Sequence, residues 1–194
     1  MNTTTLPFGY LTEADEMVLN VMALDCKLSV DLGTCGGRSA AILSHHSERV
    51  ITIDLFEKFE GIINEGSRDH YRKLYLDNPH SYARVRERLT SFTNVEVIQG
   101  MTHTAPEYLC IPDASVDLVF FDADHSYSGV KRDFEAWFLK VKQGGKFLFH
   151  DATNDNWDVK YFCNSLLGNN GCDPIVEEIN VEVTGSVIRV FKKM

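Results

Sequence analysis

The feature that most constrains this chain is a hydrophobic period that switches repeatedly between the two-residue repeat of a strand and the 3.6-residue repeat of a helix. Short, apolar, β-branched runs stand at 28–32, 50–54, 95–98, 116–121 and 146–150. Helical stripes lie between them. Thr12-Glu13-Ala14-Asp15 has the form of a capping box, and Ala14, Met17, Val18, Val21 and Met22 follow at helical spacing, which predicts a helix over 12–24. A second helix is expected over 39–46. Val130, Phe134, Trp137, Phe138 and Val141 share one helical face, on a helix expected to end at Gly144-Gly145, and a further helix is expected over 156–167.

Strands alternating with helices imply βαβ units and an open, mostly parallel α/β sheet covered by helices on both faces. The end of the chain differs: 175–181 and 186–192 are separated by a short turn carrying Gly185, so they are expected to pair as an antiparallel hairpin at a sheet edge. The segment 56–93 is too long for a simple connection and reads as two helices capping the ligand crevice. With 194 residues, 1–194 is expected to be a single domain.

Nineteen Lys and Arg against 28 Asp and Glu give a formal charge of −9, which disfavours long nucleic acid and anionic membrane surfaces as partners. No window approaches the ~18 consecutive apolar residues of a membrane-spanning helix. The first residues carry neither a basic cluster nor an apolar run, and the five cysteines are odd in number and never spaced as CxxC. A cytoplasmic setting with reduced thiols is the expectation.

In an open α/β sheet, ligands bind beyond the carboxyl ends of the strands. Here the first strand runs into Asp31-Leu32-Gly33-Thr34-Cys35-Gly36-Gly37-Arg38-Ser39 and the second ends at Asp54. The fourth runs into Asp122-Ala123-Asp124-His125, and the fifth ends at His150-Asp151. A glycine turn of this kind brings backbone close to a ligand, but Asp31 would repel the pyrophosphate of a dinucleotide. It favours a sulfonium or an α-ammonium instead. Asp54, about 20 positions beyond Gly33, stands where a carboxylate accepts hydrogen bonds from a ribose diol. S-adenosylmethionine (SAM) carries a ribose, a sulfonium and an amino-acid head together.

With these residues in place, the chain resembles the class I SAM-dependent methyltransferases of the Rossmann-like fold. Within them it looks most like the small O-methyltransferases of the catechol and caffeoyl-CoA type and their relatives acting on sugars and antibiotics. The resemblance rests on Val30-Asp31-Leu32-Gly33-Thr34-Cys35-Gly36-Gly37-Arg38-Ser39, Ile51-Thr52-Ile53-Asp54, Asp117-Leu118-Val119-Phe120-Phe121-Asp122-Ala123-Asp124-His125-Ser126-Tyr127 and Gly144-Gly145-Lys146-Phe147-Leu148-Phe149-His150-Asp151, in that order. It implies a seven-stranded sheet and methyl transfer to an oxygen of a small-molecule acceptor.

The resemblance also implies roles. Asp31 and Gly33 would hold the methionine end of SAM, Thr34, Gly36 and Gly37 the close backbone approach, and Ser39 the carboxylate. Asp54 and Leu55 would face the ribose side and Met101 the adenine, with Asp122 beside the cofactor. Asp122 and Asp151 would hold a divalent cation (Mg or Ca), and His125 with Asp122 would handle the acceptor's proton. One departure stands out: the family places Asn after the second of these aspartates, and this chain has Ala152. His150, Asp124 or Asn154 is left as the substitute third ligand, or none. A possible homodimer is part of the same expectation.

Each residue also has a plainer reading. The glycines suit any tight turn, Asp122, Asp124 and Asp151 suit a solvated rim, and His125 and His150 suit hydrogen-bonded rim positions. The basic run Arg68, Arg72, Lys73, Arg84, Arg86 and Arg88 is either a solvated face or a cap that greets an anionic substrate. Two rival functions remain beside methyl transfer: an oxidoreductase or hydroxylase-like relative on the same fold, and a cofactor-binding module without transfer activity.

Overall fold

A computed structural model describes residues 5–56, 80–168, 175–181 and 183–194. Seven strands form one sheet: β1 (Cys26–Leu32), β2 (Ser47–Asp54), β3 (Val95–Gln99), β4 (Val116–Phe121), β5 (Val141–Phe149), β6 (Val176–Ile179) and β7 (Arg189–Lys193), in the order β3-β2-β1-β4-β5-β7-β6. The first five are parallel; β7 runs antiparallel to both β5 and β6. The expected fold class, Rossmann-like with an antiparallel C-terminal pair at the edge, is the one observed.

Alternating residues of the strands point to opposite faces, and each face has its own core. On one side Val30, Leu32, Ile51, Ile53, Val119, Phe121, Phe147 and Phe149 form a core with Ala105 of α4 (Ala105–Tyr108) and with α5 (Tyr127–Phe138) and α6 (Val159–Leu166) through Phe134, Trp137 and Phe162. On the other, Val50, Leu118, Phe120 and Leu148 meet α1 (Glu13–Met22), α2 (Arg38–Ser44) and α3 (Tyr82–Leu89) through Val18, Leu19, Ile42 and Leu89. Because both faces are covered, β4 is buried along its whole length and β1 and β2 are buried over their second halves, where apolar residues predominate.

The capping box is present as read: Thr12 Oγ1 accepts from the Asp15 backbone N–H at 3.1 Å, and the Thr12 backbone N–H donates to Asp15 at 3.0 Å. The double glycine is where structure and expectation part. α5 ends at Phe138, and Gly144-Gly145 sit inside β5 rather than closing the helix. Val116 faces Val141 but Leu118 already faces Lys146, so the glycines take up a bulge in β5, with Gly144 at φ +76°. Of the two helices expected to form a cap over 56–93, the described part of that range contains one, α3, whose Val85 and Leu89 are buried in the sheet core; residues 57–79, with Arg68, Arg72 and Lys73, lie outside the described residues.

Candidate active site

The carboxyl ends of β1, β2, β4 and β5 open on one side of the sheet, where the order jumps from β1 to β4. This is the topological switch point at which α/β sheets leave a crevice. Short ladder extensions bind the strand ends together: Asp122 N–H donates to Leu32 O at 2.8 Å, Gly33 N–H to Ile53 O at 2.9 Å and His150 N–H to Phe121 O at 3.1 Å. At Gly33, φ is +103° and a Cβ would stand 2.2 Å from the Asp122 carbonyl oxygen, so only glycine lets the ends of β1 and β4 meet.

Asp31 is wholly buried at the floor of this crevice. Its Oδ2 accepts from the Thr52 hydroxyl at 2.6 Å and the Ser39 hydroxyl at 3.0 Å. Its Oδ1 is sealed from solvent and has no hydrogen-bond partner among the described residues. Burial, with the Asp122 and Asp54 carboxylates adding to it against the two hydroxyls, pushes the Asp31 carboxyl up to about 7. Thr34 is also buried, its hydroxyl 2.6 Å from that of Thr52.

Asp54 ends β2 and shapes the glycine turn, accepting from the Cys35 backbone N–H at 3.0 Å and the Phe56 backbone N–H at 2.9 Å. Leu55 beside it packs on the α1–α3 core, and Met101, half-buried, follows β3. The turn glycines answer to the protein itself. A Cβ at Gly36 would meet the Phe8 carbonyl at 2.3 Å, and one at Gly37, where φ is +96°, would meet Leu89 at 3.0 Å. Gly37 is therefore required by α2's start and its packing on α3.

At the ends of β4 and β5 four side chains converge. Asp122 Oδ1 lies 3.0 Å from His150 Nδ1 and 3.3 Å from His125 Nε2, while Asp151 Oδ2 lies 3.2 Å from His125 Nε2 and 3.5 Å from His150 Nδ1. One donor atom from each residue lies within 4.8 Å of every other. Burial alone would lower both imidazoles, but the two carboxylates hold them charged: His125 is pushed up to about 9, and His150 is raised further. The same contacts hold Asp122 and Asp151 below the usual carboxylate range against their burial. Asp151 carries φ +55°, a conformation that a non-glycine residue adopts at a cost.

Sequence reasoning placed Asp122 and Asp151 together and left the rest open. His150, read also as a rim residue, is buried and joins the cluster. Asp124 does not; it accepts from Ser126 N–H at 2.9 Å and lies 3.6 Å from Arg132. Asn154 reaches only the far oxygen of Asp151, at 3.4 Å, and Ala152 is buried. Two neighbours were missed. The Trp157 ring lies against His125, tilted by 46° with ring centroids 5.0 Å apart, and Asp15 of α1 lies behind His150, its Oδ2 3.6 Å from Nε2. No local spacing announces either contact.

Residues 30–152, which hold every one of these strand ends, match a family model described as a methyltransferase domain. The chain belongs to that family. Solved structures share the fold of this methyltransferase-family chain at low identity. The O-methyltransferase TomG of Streptomyces achromogenes, involved in tomaymycin synthesis and solved with SAM, is 15% identical with a TM-score of 0.63, over 95% of this chain and 82% of that one. An O-methyltransferase from Bacillus cereus, solved with the demethylated product SAH, is 17% identical with a TM-score of 0.56, over 97% and 84%. The N-methyltransferase NodS of Bradyrhizobium japonicum is 13% identical with a TM-score of 0.58, over 92% of each chain. A Sinorhizobium fredii protein described as uncharacterized protein y4gI is 48% identical over 42 residues, a stretch covering 22% of this chain and 5% of that one.

Proposed function

We propose that this methyltransferase-family chain transfers the methyl group of SAM to an oxygen of a small-molecule acceptor. The observation that carries the reading is the buried, unpartnered Asp31 Oδ1 at the floor of a crevice whose rim holds Asp54 on one side and the Asp122–His125–Asp151 cluster on the other. An α-ammonium supplies the donor that Oδ1 lacks, and in a buried site that charge-assisted bond is among the strongest available. Ser39 and Thr52 hold the Asp31 carboxylate still, Asp54 accepts from the ribose hydroxyls with Leu55 beside it, and Met101 faces the adenine.

Transfer from a sulfonium is an in-line displacement, so the protein's tasks are to align the acceptor and to deal with its proton. We assign that oxygen and its proton to Asp122 and His125, which lie 3.3 Å apart with the Trp157 ring against His125. The residues present fit a divalent cation: when bound, it would lower the pKa of an acceptor hydroxyl. The oxygen of the acceptor is favoured by the O-methyltransferases among the structural neighbours. Free Cys26, Cys35, Cys110 and Cys163 support a reducing, cytoplasmic setting, and among the described residues no helix is long and apolar enough to cross a membrane.

Calorimetry with SAM and SAH, followed by mass spectrometry of a panel of hydroxylated acceptors incubated with SAM, tests the proposal. A mass gain of one methyl group on an acceptor, with SAH formed, is the expected result. Absence of SAM binding overturns it, as does redox turnover with a nicotinamide cofactor. Tight SAM binding with no transfer to any acceptor favours the binding-module reading instead.

A further inference from the structure

We propose that Asp122, His125, His150 and Asp151 together hold one divalent cation of the nitrogen-accepting, borderline class (Mn, Fe, Co, Ni or Zn), with Asp15 as the carboxylate that orients His150. The proposal rests on the methyltransferase reading only for the cation's use; the site itself stands on its donors.

Four observations carry it. First, the spacing: a cation about 2.1 Å from each donor requires neighbouring donors about 3.0–3.4 Å apart. The two carboxylate oxygens and two ring nitrogens already stand 3.0, 3.2, 3.3 and 3.5 Å apart around the cluster. Second, the aim: among the described residues, His125 Nε2 and both ring nitrogens of His150 are sealed from solvent and make no hydrogen bond of good geometry, and His125 Nε2 and His150 Nδ1 each stand between the same two carboxylate oxygens, Asp122 Oδ1 and Asp151 Oδ2, rather than on one of them.

Third, the support behind the ring. His150 has a side chain only 7% exposed, with Nδ1 turned to the cluster and Nε2 turned to Asp15 Oδ2, 3.6 Å away. A ligating histidine whose second nitrogen faces a carboxylate is the usual arrangement behind a protein-bound metal. Asp15 is itself fixed, because Thr12, Ser186 and the Val187 backbone N–H all donate to it. Fourth, the donor set. Mg and Ca take oxygen ligands almost exclusively, whereas two imidazoles with two carboxylates suit the later divalent metals. The side-chain oxygen absent at Ala152 is thus replaced by a nitrogen on the residue before Asp151. This revises the Mg or Ca expected from the sequence, and it makes His125 a residue that holds the cation rather than a free base.

The full chain, stripped with chelator and desalted, is incubated separately with Mn, Co, Zn, Mg and Ca, and bound metal is measured by mass spectrometry alongside the thermal midpoint. The expected result is one equivalent of Mn, Co or Zn per chain with a raised midpoint, and no comparable retention of Mg or Ca. The Co-loaded protein should show visible absorption bands that change in His150→Asn. Asp15→Asn should weaken metal retention ~10–100-fold. Equal retention of Mg or Ca overturns the proposed class of cation, and no retention of any cation by wild type overturns the site itself and leaves two imidazolium–carboxylate pairs. SAM calorimetry on the same samples separates the two readings. Metal held without SAM binding removes the methyltransferase proposal alone, and SAM bound without metal removes only this one.

Discussion

Asp31 makes the proposed cofactor site testable by pH alone. Its carboxyl sits at about 7 in the folded chain against 3.8 as the ordinary value, because burial, with Asp122 and Asp54 adding to it, outweighs the hydrogen bonds from Thr52 and Ser39. A carboxyl raised on folding favours the protonated native state. Its contribution to stability is therefore full below pH 3.8 and is lost as the pH climbs to about 7. At 1.36 kcal/mol per pH unit the loss is about 4 kcal/mol, an upper bound on what Asp31 alone withdraws from the unliganded protein. An α-ammonium docked on Oδ1 selects the ionised form, so SAM binding must expel a proton at any pH below about 7. Relative to the fully ionised carboxylate, the apparent affinity should be roughly halved at pH 7 and about elevenfold weaker at pH 6, and it should fall again above about pH 8 as the ligand's own α-ammonium loses its proton. Calorimetry at pH 6 in buffers of different ionisation heat should show close to one proton released. Asp31→Asn keeps the shape and removes the charge: the unliganded midpoint at pH 8 should rise while SAM affinity drops ~10–100-fold, the worth of a charged hydrogen bond of about 1.5–3 kcal/mol. An affinity flat from pH 5.5 to 8, with no proton released, would refute the assignment of Oδ1 to the ammonium.

Asp54→Ala should weaken SAM and SAH alike, by ~1.5–3 kcal/mol, since it removes the proposed ribose acceptor together with the anchor of the Cys35 and Phe56 backbone; calorimetric affinities equal to wild type would remove Asp54 from the site. Gly37→Val should cost stability of about 1–3 kcal/mol, from positive φ and the approach to Leu89, with SAM affinity little changed. A thermal scan beside a binding isotherm decides it, and normal stability with lost binding would return Gly37 to the cofactor. Once an acceptor is in hand, excess EDTA should abolish turnover. Full turnover in EDTA combined with an inactive His125→Ala would show that His125 works without a cation.

The sheet was legible because its signal is local and repeated. Residues 118–121 are apolar without a break and 116–121 are buried throughout, as suits a strand covered on both faces, and Thr12 with Asp15 caps α1 by contacts three residues apart. Gly144-Gly145 misled because a glycine pair marks a helix end and a strand bulge with the same letters; only the register across β4 distinguishes them. The site was half legible for a related reason. Strand-end carboxylates are found by counting along one strand, and Asp122 and Asp151 converge because β4 and β5 are neighbours. Trp157 over His125 and Asp15 behind His150 are contacts between distant segments. Asp15 already has a sufficient local explanation as the acid of a capping box, and nothing in its surroundings signals a second task.

The crevice divides its charge in two. Beside β4 and β5 the carboxylates of Asp122 and Asp151 are matched by two imidazoles within 3.0–3.5 Å, and all four groups are held in their charged forms. At the end of β1 the donors to Asp31 are the neutral hydroxyls of Ser39 and Thr52, and the carboxyl responds by holding its proton. Desolvated carboxylates demand compensation, and the two halves receive it differently: one from the protein's own cationic rings, one from nothing fixed. A cationic ligand therefore gains most at Asp31. On the β4–β5 side a divalent cation must displace the protons that the imidazoles hold. The same separation suits the proposed reaction, because it places the head of a positively charged donor at a buried carboxylate whose described hydrogen-bond donors are neutral hydroxyls and leaves the β4–β5 carboxylates to the acceptor.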